Sequence, residues 1–324
     1  MKALLQHAYG TAEVLQITEI AAPAAGAGEV LVRVRGASLN AADWFIMTGR
    51  PYIARLAFGV SRPRVRVRGR DVAGTVEAIG AGVTRFAIGD AVFGECSSGS
   101  LAELAVVADA NLAHAPARIP LEHAAALPIA GVTALQALTE AATVAPGQRV
   151  LVNGASGGVG TFAVQLAVAL GARVTAVCSA RNAAQALELG AHRVIDYAVT
   201  DVTTESERYD VVLDLVGNHT LRSLRRILVA RGALVLSSGA GSSLLGPIGR
   251  LLRGSLYNLG VRERIVTFVG ASTAARLERL AALVDDGAIA PRIEASVPLA
   301  EGAAAMQRFG REHARSKIVI VVDK

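Results

Sequence analysis

Apolar and polar positions follow two different rhythms along the chain. In residues 1–120, short segments alternate between apolar and polar side chains, as in 29–38, and glycine turns separate them. A period of two is typical of half-buried β-strands, and many short strands between glycine turns indicate a small β-barrel domain. The strands predicted in this part span residues 2–6, 29–38, 69–80, 86–94 and 100–107, with a short helix or turn at 38–45.

From residue 120 onward, short apolar strands alternate with helical segments. A helical connector is predicted over 124–138, before the first of these strands. The strands that follow span 149–153, 173–178, 193–197, 209–214 and 232–237, with helices between them that include 182–190 and 218–230. This alternation is typical of a doubly wound parallel sheet.

The last part of the chain is predicted to return to the first domain. Its helices span 272–286 and 299–310, and its strands span 290–297 and 317–322. The predicted fold class is therefore α/β, with a β-barrel domain over 1–122 and 265–324. A doubly wound parallel-sheet domain is expected over 123–264.

The glycine turn at 154–160 lies at the centre of the second domain. A strand enters it, and a helix of about 11 residues leaves it and ends at Gly171 before the next strand. Gly157 and Gly160 have the spacing of the last two glycines in G-x-G-x-x-G, and Ala155 has the first place. A side chain at 157 would keep the backbone away from a pyrophosphate, and one at 160 would displace the helix.

The N-terminus of that helix offers free N–H groups and the positive end of its dipole to phosphates. Strand, turn, helix and second strand together form a βαβ unit of about 30 residues, the size of a dinucleotide-binding crossover. The turn therefore predicts a cofactor site. The residues predicted to contact the cofactor here are Gly154, Ala155, Ser156, Gly157, Gly158, Val159 and Gly160.

The strand after this helix indicates which nicotinamide cofactor is bound. An acid near its end would hold a free ribose 2′-OH, but the first acid is Glu188, inside the next predicted helix. Ser179 and Arg181 stand at the strand end instead, and a hydroxyl with a guanidinium suits a 2′-phosphate. We therefore expect NADPH. The alternative for Arg181 is a solvated position at a helix start.

Composition limits the possible functions further. The chain is 52% hydrophobic and 19% charged, which allows a large core and excludes a disordered protein. The net charge is +6, but aromatic residues make up only 4%, too few for base-stacking platforms, so no nucleic-acid partner is expected. Cys96 and Cys178 lie far apart and indicate a reducing compartment without a disulfide framework. No signal peptide or long apolar span is recognised, and we expect a cytoplasmic protein.

One apolar and basic segment, 244–264, does not fit the alternation of strands and helices. It contains Gly and Pro, so we favour a helix that covers the active-site mouth or packs in a dimer over a membrane-surface segment. We expect a homodimer. The choice between lid, dimer surface and membrane contact stays open.

Several motifs together resemble the medium-chain dehydrogenase/reductase superfamily, in its zinc-free quinone oxidoreductase (zeta-crystallin-like) branch. They are Gly69-Arg70-Asp71-Val72-Ala73-Gly74, Gly89-Asp90, Gly131-Val132-Thr133-Ala134, the glycine turn and Lys317-Ile318-Val319-Ile320. The resemblance covers essentially the whole chain. It implies a GroES-like β-barrel catalytic domain interrupted by a Rossmann domain, which agrees with the two rhythms.

The resemblance also bears on zinc. Zinc-using relatives need a Cys where Ser38 stands and a Gly-His-Glu where Gly69-Arg70-Asp71 stands. Neither cysteine falls at those positions, and the six histidines show no metal-like spacing, so we expect a metal-free enzyme. Without zinc, alcohol oxidation is disfavoured, and direct hydride transfer to a quinone or a conjugated enone is expected.

The resemblance implies roles for three residues near the substrate. Asn40 matches the Asn of a Ser-x-Asn-x-x-Asp motif and is a candidate hydrogen-bond donor to the substrate, with a helix N-cap as the alternative. Asp43 matches the acid and would orient Asn40 or cap the turn. Thr133 matches a residue near the nicotinamide amide, or its hydroxyl bonds its own helix. Arg70 is expected to form a structural ion pair with Asp71 or Asp43, with contact to the electron acceptor as the alternative.

Further residues are assigned to the cofactor site. Tyr197 and Lys317 resemble residues near the adenosine phosphate, although Lys317 could also be a surface lysine at a strand end. Gly217, Ser238 and Phe268 complete this set. Trp44, Phe45 and Phe268 are candidates for a flat acceptor pocket, with plain core packing as the alternative.

Other features leave the exact reaction open. A reductase of the double bond in unsaturated aldehydes or ketones would need a proton donor, for which Tyr52 and Tyr257 are candidates. A non-catalytic NADPH-binding regulatory protein would have the same phosphate site. The alternating arginines Arg64, Arg66 and Arg68 predict a charged strand edge, and attraction of an acidic substrate is the alternative.

Overall fold

The computed structural model describes residues 1–237, 263–311 and 315–322. The chain divides into two compact units. Unit 1 consists of Met1–Val132 and Ala271–Lys324, and unit 2 of Thr133–Gly270. The boundaries expected after residues 122 and 264 lie earlier in the chain than these.

The described residues form the following strands and helices. The strands are β1 (Lys2–Gln6), β2 (Leu15–Glu19), β3 (Glu29–Ser38), β4 (Asp71–Ile79), β5 (Ala91–Glu95), β6 (Leu104–Ala108), β7 (Leu112–His114), β8 (Arg149–Asn153), β9 (Arg173–Cys178), β10 (Arg193–Asp196), β11 (Tyr209–Asp214), β12 (Leu228–Leu236), β13 (Arg264–Thr267), β14 (Ile293–Pro298) and β15 (Lys317–Val321). The helices are α1 (Ala41–Thr48), α2 (Arg55–Phe58), α3 (Leu121–Ala124), α4 (Pro128–Gln136), α5 (Gly158–Ala169), α6 (Ala183–Glu188), α7 (Leu221–Arg226), α8 (Ala274–Asp285) and α9 (Gly302–Arg311).

Unit 1 is built on a mainly antiparallel sheet in the order β14-β15-β3-β4-β5-β7, and β6 also pairs with β3. Alternation along β3 buries Val30, Val32 and Val34 on one face, where they join the core. The last strand, β15, pairs antiparallel with β3, so that Val319 lies beside Ser38. The chain therefore brings residues from its two ends together in one sheet.

Unit 2 contains a six-stranded parallel sheet in the order β10-β9-β8-β11-β12-β13. Counted within the sheet, this is the order 3-2-1-4-5-6 of a doubly wound dinucleotide-binding fold. Its central strand is apolar on both faces, with Val150, Leu151 and Val152 fully buried, as parallel strands require. The predicted α/β class with a doubly wound parallel sheet is confirmed.

Some predicted elements differ from the observed ones. The helix predicted over 218–230 ends at Arg226, and β12 begins at Leu228 because Leu228 pairs with Tyr209 in the sheet. Leu221, Leu224 and Leu228 have helical spacing, but Leu228 lies in β12, and the core of unit 2 buries it together with Ile227. The sequence pattern therefore extended the helix too far.

The arginine stretch before β4 is not the charged strand edge that alternation predicted. Residues 61–70 have no strand, and Val67 forms only an isolated bridge to Leu5. Arg64 and Arg66 are exposed, whereas Arg68 is buried, so the three side chains do not share one face. Without regular strand geometry, the alternation of charged residues does not predict the direction in which their side chains point.

Two predictions concern membrane contact, namely the absence of a membrane span and the role of the segment 244–264. Within the described ranges, no helix is both long and apolar enough to cross a bilayer. Nearly all of the segment 244–264 lies outside the described residues, and so do Ser238 and Tyr257.

Candidate functional site

The glycine turn of unit 2 has the geometry that its sequence predicts. Gly154 follows β8 with a φ of +90°, a left-handed conformation that favours glycine. A Cβ at Gly160 would collide with the Gly154 carbonyl oxygen and with the Ala155 backbone. Glycine at 160 therefore allows helix α5 to begin directly against the turn.

Gly157 has a different environment from Gly160. A Cβ added at Gly157 would meet only the Gly154 carbonyl oxygen, at 3.6 Å, so the packing of the protein itself would accept a side chain. Gly157 is the N-cap of α5, whose first N–H groups lack partners within the helix. The missing side chain leaves open space over these donors, and this is a cradle of the kind that a pyrophosphate needs.

Two buried polar side chains link the strands beside the turn. Asn153 ends β8 and donates from Nδ2 to Asp214 Oδ1 at 2.8 Å and to Asn218 Oδ1 at 2.9 Å. Asp214 ends β11, and its Oδ1 also accepts from the Gly217 N–H at 3.0 Å. Because β8 and β11 are the strands where the order reverses, this pair holds the two turns at the switch point together.

The pair Asn153–Asp214 was not predicted from the sequence. Both residues are polar positions at the end of an apolar strand, and this is the signal that could have identified them. Gly217, which was predicted, takes a φ of +78° after β11. The hydrogen bond from the Gly217 N–H to Asp214 Oδ1 stabilises a turn with this conformation.

Other residues predicted to bind the cofactor lie at the same edge of the sheet. Ser179 follows β9, Tyr197 follows β10 and Phe268 follows β13. Since all six strands are parallel, their carboxyl ends share one edge with the glycine turn and Gly217. Thr133 lies within α4 and is buried, and a Cβ at Gly270, three residues after the end of β13, would collide with its hydroxyl.

Ser179, at the strand end that was predicted to select NADPH over NADH, has a hydrogen-bond partner within the protein. Ser179 Oγ accepts a hydrogen bond from Asn182 Nδ2 at 3.2 Å, and Asn182 is only 4% exposed. A hydroxyl that accepts from an amide can still donate its own hydrogen. Arg181 is exposed beside it. Asp196 of β10 lies opposite Cys178. The sequence did not suggest it as the acid at this strand end, because it belongs to the neighbouring strand.

Unit 1 contains a buried polar cluster, here called the Asp71 cluster and defined by five side chains. They are Ser38, Asn40, Asp43, Asp71 and Lys317, and all five are buried. Ser38 ends β3, Asp71 begins β4 and Lys317 begins β15, and these three strands are neighbours in the sheet. The register of the sheet therefore brings together residues that are far apart in sequence.

Lys317 is the cation of the Asp71 cluster. Its Nζ donates to Asn40 Oδ1 at 2.6 Å, to the Leu39 carbonyl at 3.1 Å and to Asp71 Oδ2 at 3.3 Å. At 2% exposed it is not a surface lysine, and that alternative is wrong. An ammonium has three donors, and all three have protein acceptors here. Its assignment to the cofactor phosphate stays a prediction.

Asn40 occupies the N-cap position of α1, as the alternative to substrate binding predicted. Its backbone N–H donates to Asp43 Oδ2 at 2.9 Å. Its side chain, however, points into the cluster, and Nδ2 donates to Asp71 Oδ2 at 2.9 Å and to the Ser38 carbonyl at 3.4 Å. Both amide hydrogens therefore have partners inside the protein, and a bond to substrate stays a prediction.

Asp71 is the common acceptor of the cluster and was not assigned to the site from the sequence. Its Oδ2 also accepts from the Ser38 hydroxyl at 2.8 Å, and its Oδ1 accepts from the Ile129 N–H at 3.0 Å. Complete burial raises the pKa of neighbouring Asp43 to about 6, and the nearby Asp71 carboxylate contributes to the rise. Asp43 therefore titrates close to neutral pH.

The residues at the positions of zinc ligands in zinc-using relatives do not fit a zinc ion. Ser38 donates to Asp71, whose Oδ2 also receives the Lys317 ammonium, so a cation already neutralises this carboxylate. Cys96 is buried and does not stand at one of these positions. Among the residues that the structure describes, no three His, Cys, Asp or Glu side chains are grouped as metal ligands.

The ion pair expected for Arg70 forms with a different acid. Arg70 pairs with Glu95 of β5 rather than with Asp71 or Asp43. The register of the sheet explains this pair. Glu95 on β5 lies opposite Asp71, so its carboxylate can contact Arg70, the residue before Asp71. Asp71 itself points into the buried cluster.

The candidates for an acceptor pocket have mixed surroundings. Trp44 packs on the core of unit 1, and a Cβ at Gly310 would collide with its ring, so it fits the plain-core alternative. Phe45 is partly exposed on α1. Tyr52, a candidate proton donor, is stacked on the Arg55 guanidinium, 4.9 Å from the ring centroid.

Comparisons with known proteins cover the whole chain. An alcohol dehydrogenase GroES-like domain model matches residues 26–117, and a zinc-binding dehydrogenase model matches residues 189–320. A chloroplast envelope quinone oxidoreductase homolog of Arabidopsis thaliana is 31% identical over 336 residues, which include 99% of this chain and 98% of that protein.

Solved structures agree with these matches. The quinone oxidoreductase of Coxiella burnetii superposes with a TM-score of 0.86 at 28% identity, covering 100% of this chain and 99% of that one. A mycobacterial protein complexed with NADPH gives a TM-score of 0.82 at 26% identity, with 99% of both chains covered. The GroES-like part of the predicted fold is confirmed by these matches together.

Proposed function

Since the chain belongs to the quinone oxidoreductase family of the medium-chain dehydrogenases/reductases, we propose that it is an NADPH-dependent reductase of quinones or conjugated enones. The observation that carries this proposal is the open space at Gly157 over the N-terminus of α5. The protein's own packing does not require a glycine there, whereas a bound pyrophosphate does. The NADPH complex of the mycobacterial protein supports the same cofactor.

A bound nicotinamide would supply the hydride for the acceptor. The N–H groups of the turn 154–160 would hold its pyrophosphate. The Ser179 oxygen accepts from Asn182, so its hydroxyl hydrogen would be available to a 2′-phosphate. Arg181 would add a guanidinium for the same phosphate. Binding at the switch point would thus rest on the backbone of the turn and on these two side chains.

The proposal includes a reaction without metal. Quinones and conjugated enones are already electrophilic, so hydride transfer to them does not need a Lewis acid. Although one matching model is described as zinc-binding, the ligand positions of this chain carry the Ser38–Asp71–Lys317 bonds. The Lys317 ammonium supports the metal-free proposal because it supplies the positive charge beside Asp71.

The test of this function is NADPH oxidation, followed by absorbance, against quinones, conjugated enones and saturated aldehydes. We expect turnover with quinones or enones and none with saturated aldehydes. Clear NADPH binding without turnover of any acceptor would support a non-catalytic binding protein and contradict the proposal. Product analysis separates a reduced carbonyl or quinone from a reduced carbon–carbon double bond, which would identify a double-bond reductase.

Three finer expectations belong to the same proposal. Buried, unpaired cysteines suit a reducing compartment such as the cytoplasm. The expected homodimer stays a prediction, which the molar mass from light scattering checks. Equilibrium dissociation constants for NADPH and NADH test the cofactor preference, and tighter binding of NADH would contradict the roles given to Ser179 and Arg181.

A further inference from the structure

Lys317 is a buried charge that the proposed reaction does not yet use. Its ammonium is 2% exposed and has three acceptors at 2.6–3.3 Å, of which Asn40 Oδ1 is nearest. Burying charges costs free energy, and replacing a whole buried ion pair, here Lys317 with Asp71, by apolar side chains is often neutral or stabilising. A requirement for packing alone therefore does not explain a lysine at this position.

The choice of lysine over arginine is itself informative. The chain has 33 basic residues, of which only Lys2, Lys317 and Lys324 are lysines. An arginine presents a planar fork, whereas an ammonium is a compact point charge that reaches acceptors in three directions. The Leu39 carbonyl, Asn40 and Asp71 belong to two different strand ends and to the start of α1, and a compact cation can contact all three.

Lys317 and Asp71 together define the orientation of the Asn40 amide. The ammonium can only donate, so it takes Oδ1, and the ionised carboxylate can only accept, so it takes Nδ2. With Lys317 removed, nothing in the cluster would hold Oδ1 on that side. Asn40 also donates its backbone N–H to Asp43 at the first turn of α1, so a change at Asn40 is transmitted to this carboxylate.

We propose that Lys317 is a positioning residue of the reductase site, whose ammonium holds the Asn40 amide and the first turn of α1 in the arrangement that turnover requires. This inference rests on the proposed function. Lys317 acts through Asn40 and does not contact the reacting atoms. Its contribution requires both positive charge and N–H donors at one point in unit 1.

The experiment compares Lys317→Met, Lys317→Arg and Lys317→Ala with the wild-type full chain in steady-state NADPH oxidation. Methionine keeps the volume without the charge, and we expect kcat to fall at least about tenfold while KM for NADPH stays within about twofold. Arginine keeps the charge but not the compact geometry, so we expect an intermediate kcat. Thermal melting of each variant reports whether it is folded.

Chemical rescue separates positioning from general stability. Alanine removes the atoms from Cγ to Nζ, and n-propylammonium restores them as a separate molecule. We expect n-propylammonium to raise kcat of Lys317→Ala at least about threefold, and tetramethylammonium, which has no N–H donor, to leave it unchanged at equal ionic strength. A Lys317→Met variant with wild-type kcat would overturn the inference, and so would equal rescue by both cations.

Asn40→Ala provides a test that does not depend on the folding of Lys317 variants. It removes the side chain through which Lys317 acts, so we expect a loss of kcat similar to that of Lys317→Met, and little further loss in the double variant. Wild-type kcat in Asn40→Ala would overturn the inference. No turnover by the wild-type protein would instead contradict the proposed function, and this inference would fall with it.

Discussion

Each unit contains a buried Asn–Asp pair at the end of strands, and the two pairs differ in what surrounds them. Asn153 donates to Asp214 at 2.8 Å in unit 2, and Asn40 donates to Asp71 at 2.9 Å in unit 1. Asp214 accepts further bonds from backbone N–H groups of the following turn. Asp71 accepts from a hydroxyl and from the buried ammonium of Lys317.

This difference shows two ways to build a polar site. In unit 2 the pair supports two turns, and the groups that meet the ligand belong to the backbone of the glycine turn. In unit 1 the site consists of side chains, and their charges must balance within the cluster. A backbone site is sensitive to added atoms, whereas a cluster of side chains is sensitive to removed charge.

The largest expected effect breaks the charge balance. Asp71→Asn leaves the Lys317 ammonium buried without its carboxylate, and we expect a loss of about 3–5 kcal/mol in the free energy of unfolding. The matched variant Asp214→Asn keeps an oxygen acceptor for the turn and is expected to cost about 1–3 kcal/mol. Unfolding by urea measures both. An equal or larger cost at Asp214 would contradict the contrast between the two pairs.

The next prediction uses the pH dependence of the Asp71 cluster. The pKa of Asp43 is raised from 3.8 to about 6 by burial and by Asp71, so the folded state binds a proton more tightly than the unfolded one. Stability is therefore lost as the pH rises from about 4 to about 6, by up to about 3 kcal/mol at about 1.4 kcal/mol per pH unit.

Asp43→Asn is the control for this pH dependence. An asparagine oxygen can still accept from the Asn40 N–H but does not titrate, so the slope between about pH 4 and 6 is expected to flatten. Unfolding free energies of both proteins across this range measure the difference. A slope that stays the same in the variant would assign the titration to another group.

The backbone site is tested by the same substitution at two glycines. Gly160→Ala places a methyl group against the Gly154 carbonyl, and we expect a loss of about 1–3 kcal/mol in stability together with weaker NADPH binding. Gly157→Ala meets no close contact in the protein, so its stability should stay near wild type while NADPH affinity falls. Unchanged NADPH affinity in Gly157→Ala would contradict the cradle at this position.

The smallest expected effect concerns the choice of cofactor. Arg181→Ala removes a charge near the 2′-phosphate, and Asn182→Ala removes the amide that donates to Ser179. We expect each to weaken NADPH binding by about tenfold or less, which corresponds to at most about 1.4 kcal/mol, with NADH binding nearly unchanged. Fluorescence titration with both cofactors measures this. Parallel losses for NADPH and NADH would indicate a general change in the site.

The comparison also explains which parts could be predicted from the sequence. The parallel sheet and its glycine turn follow from local patterns, since Gly157, Gly160 and their strand lie within a few residues of each other. The Asp71 cluster depends on the register between β15, β3 and β4, which joins Ser38 to Asp71 and to the strand of Lys317. Local patterns do not contain register across such distances, so Asp71 was missed and the burial of Lys317 was not expected.

The ion-pair partner of Arg70 and the burial of the Arg68 side chain could not be predicted, for a related reason. Both depend on where the chain lies relative to β5 and β1, and not on the spacing of charges along it. Asn153 and Asp214, by contrast, stand as polar residues at the ends of apolar strands. A systematic look at strand ends would have found this pair without a structure.

The origin of Lys317 in the last strand has a consequence for how the protein is made. Unit 1 is discontinuous, so Asp71 is synthesised long before its ammonium, while unit 2 is one continuous segment. Because domains fold as units when their residues have left the ribosome, we expect unit 2 to become protease-resistant on nascent chains that end near residue 300, and unit 1 only on longer chains on which β15 has also left the ribosome. Early protection of unit 1 on the chains that end near residue 300 would contradict this order. The Lys317–Asp71 bond therefore forms only after unit 2 has been synthesised, because β15 completes a sheet whose strands β3 and β4 were made before unit 2.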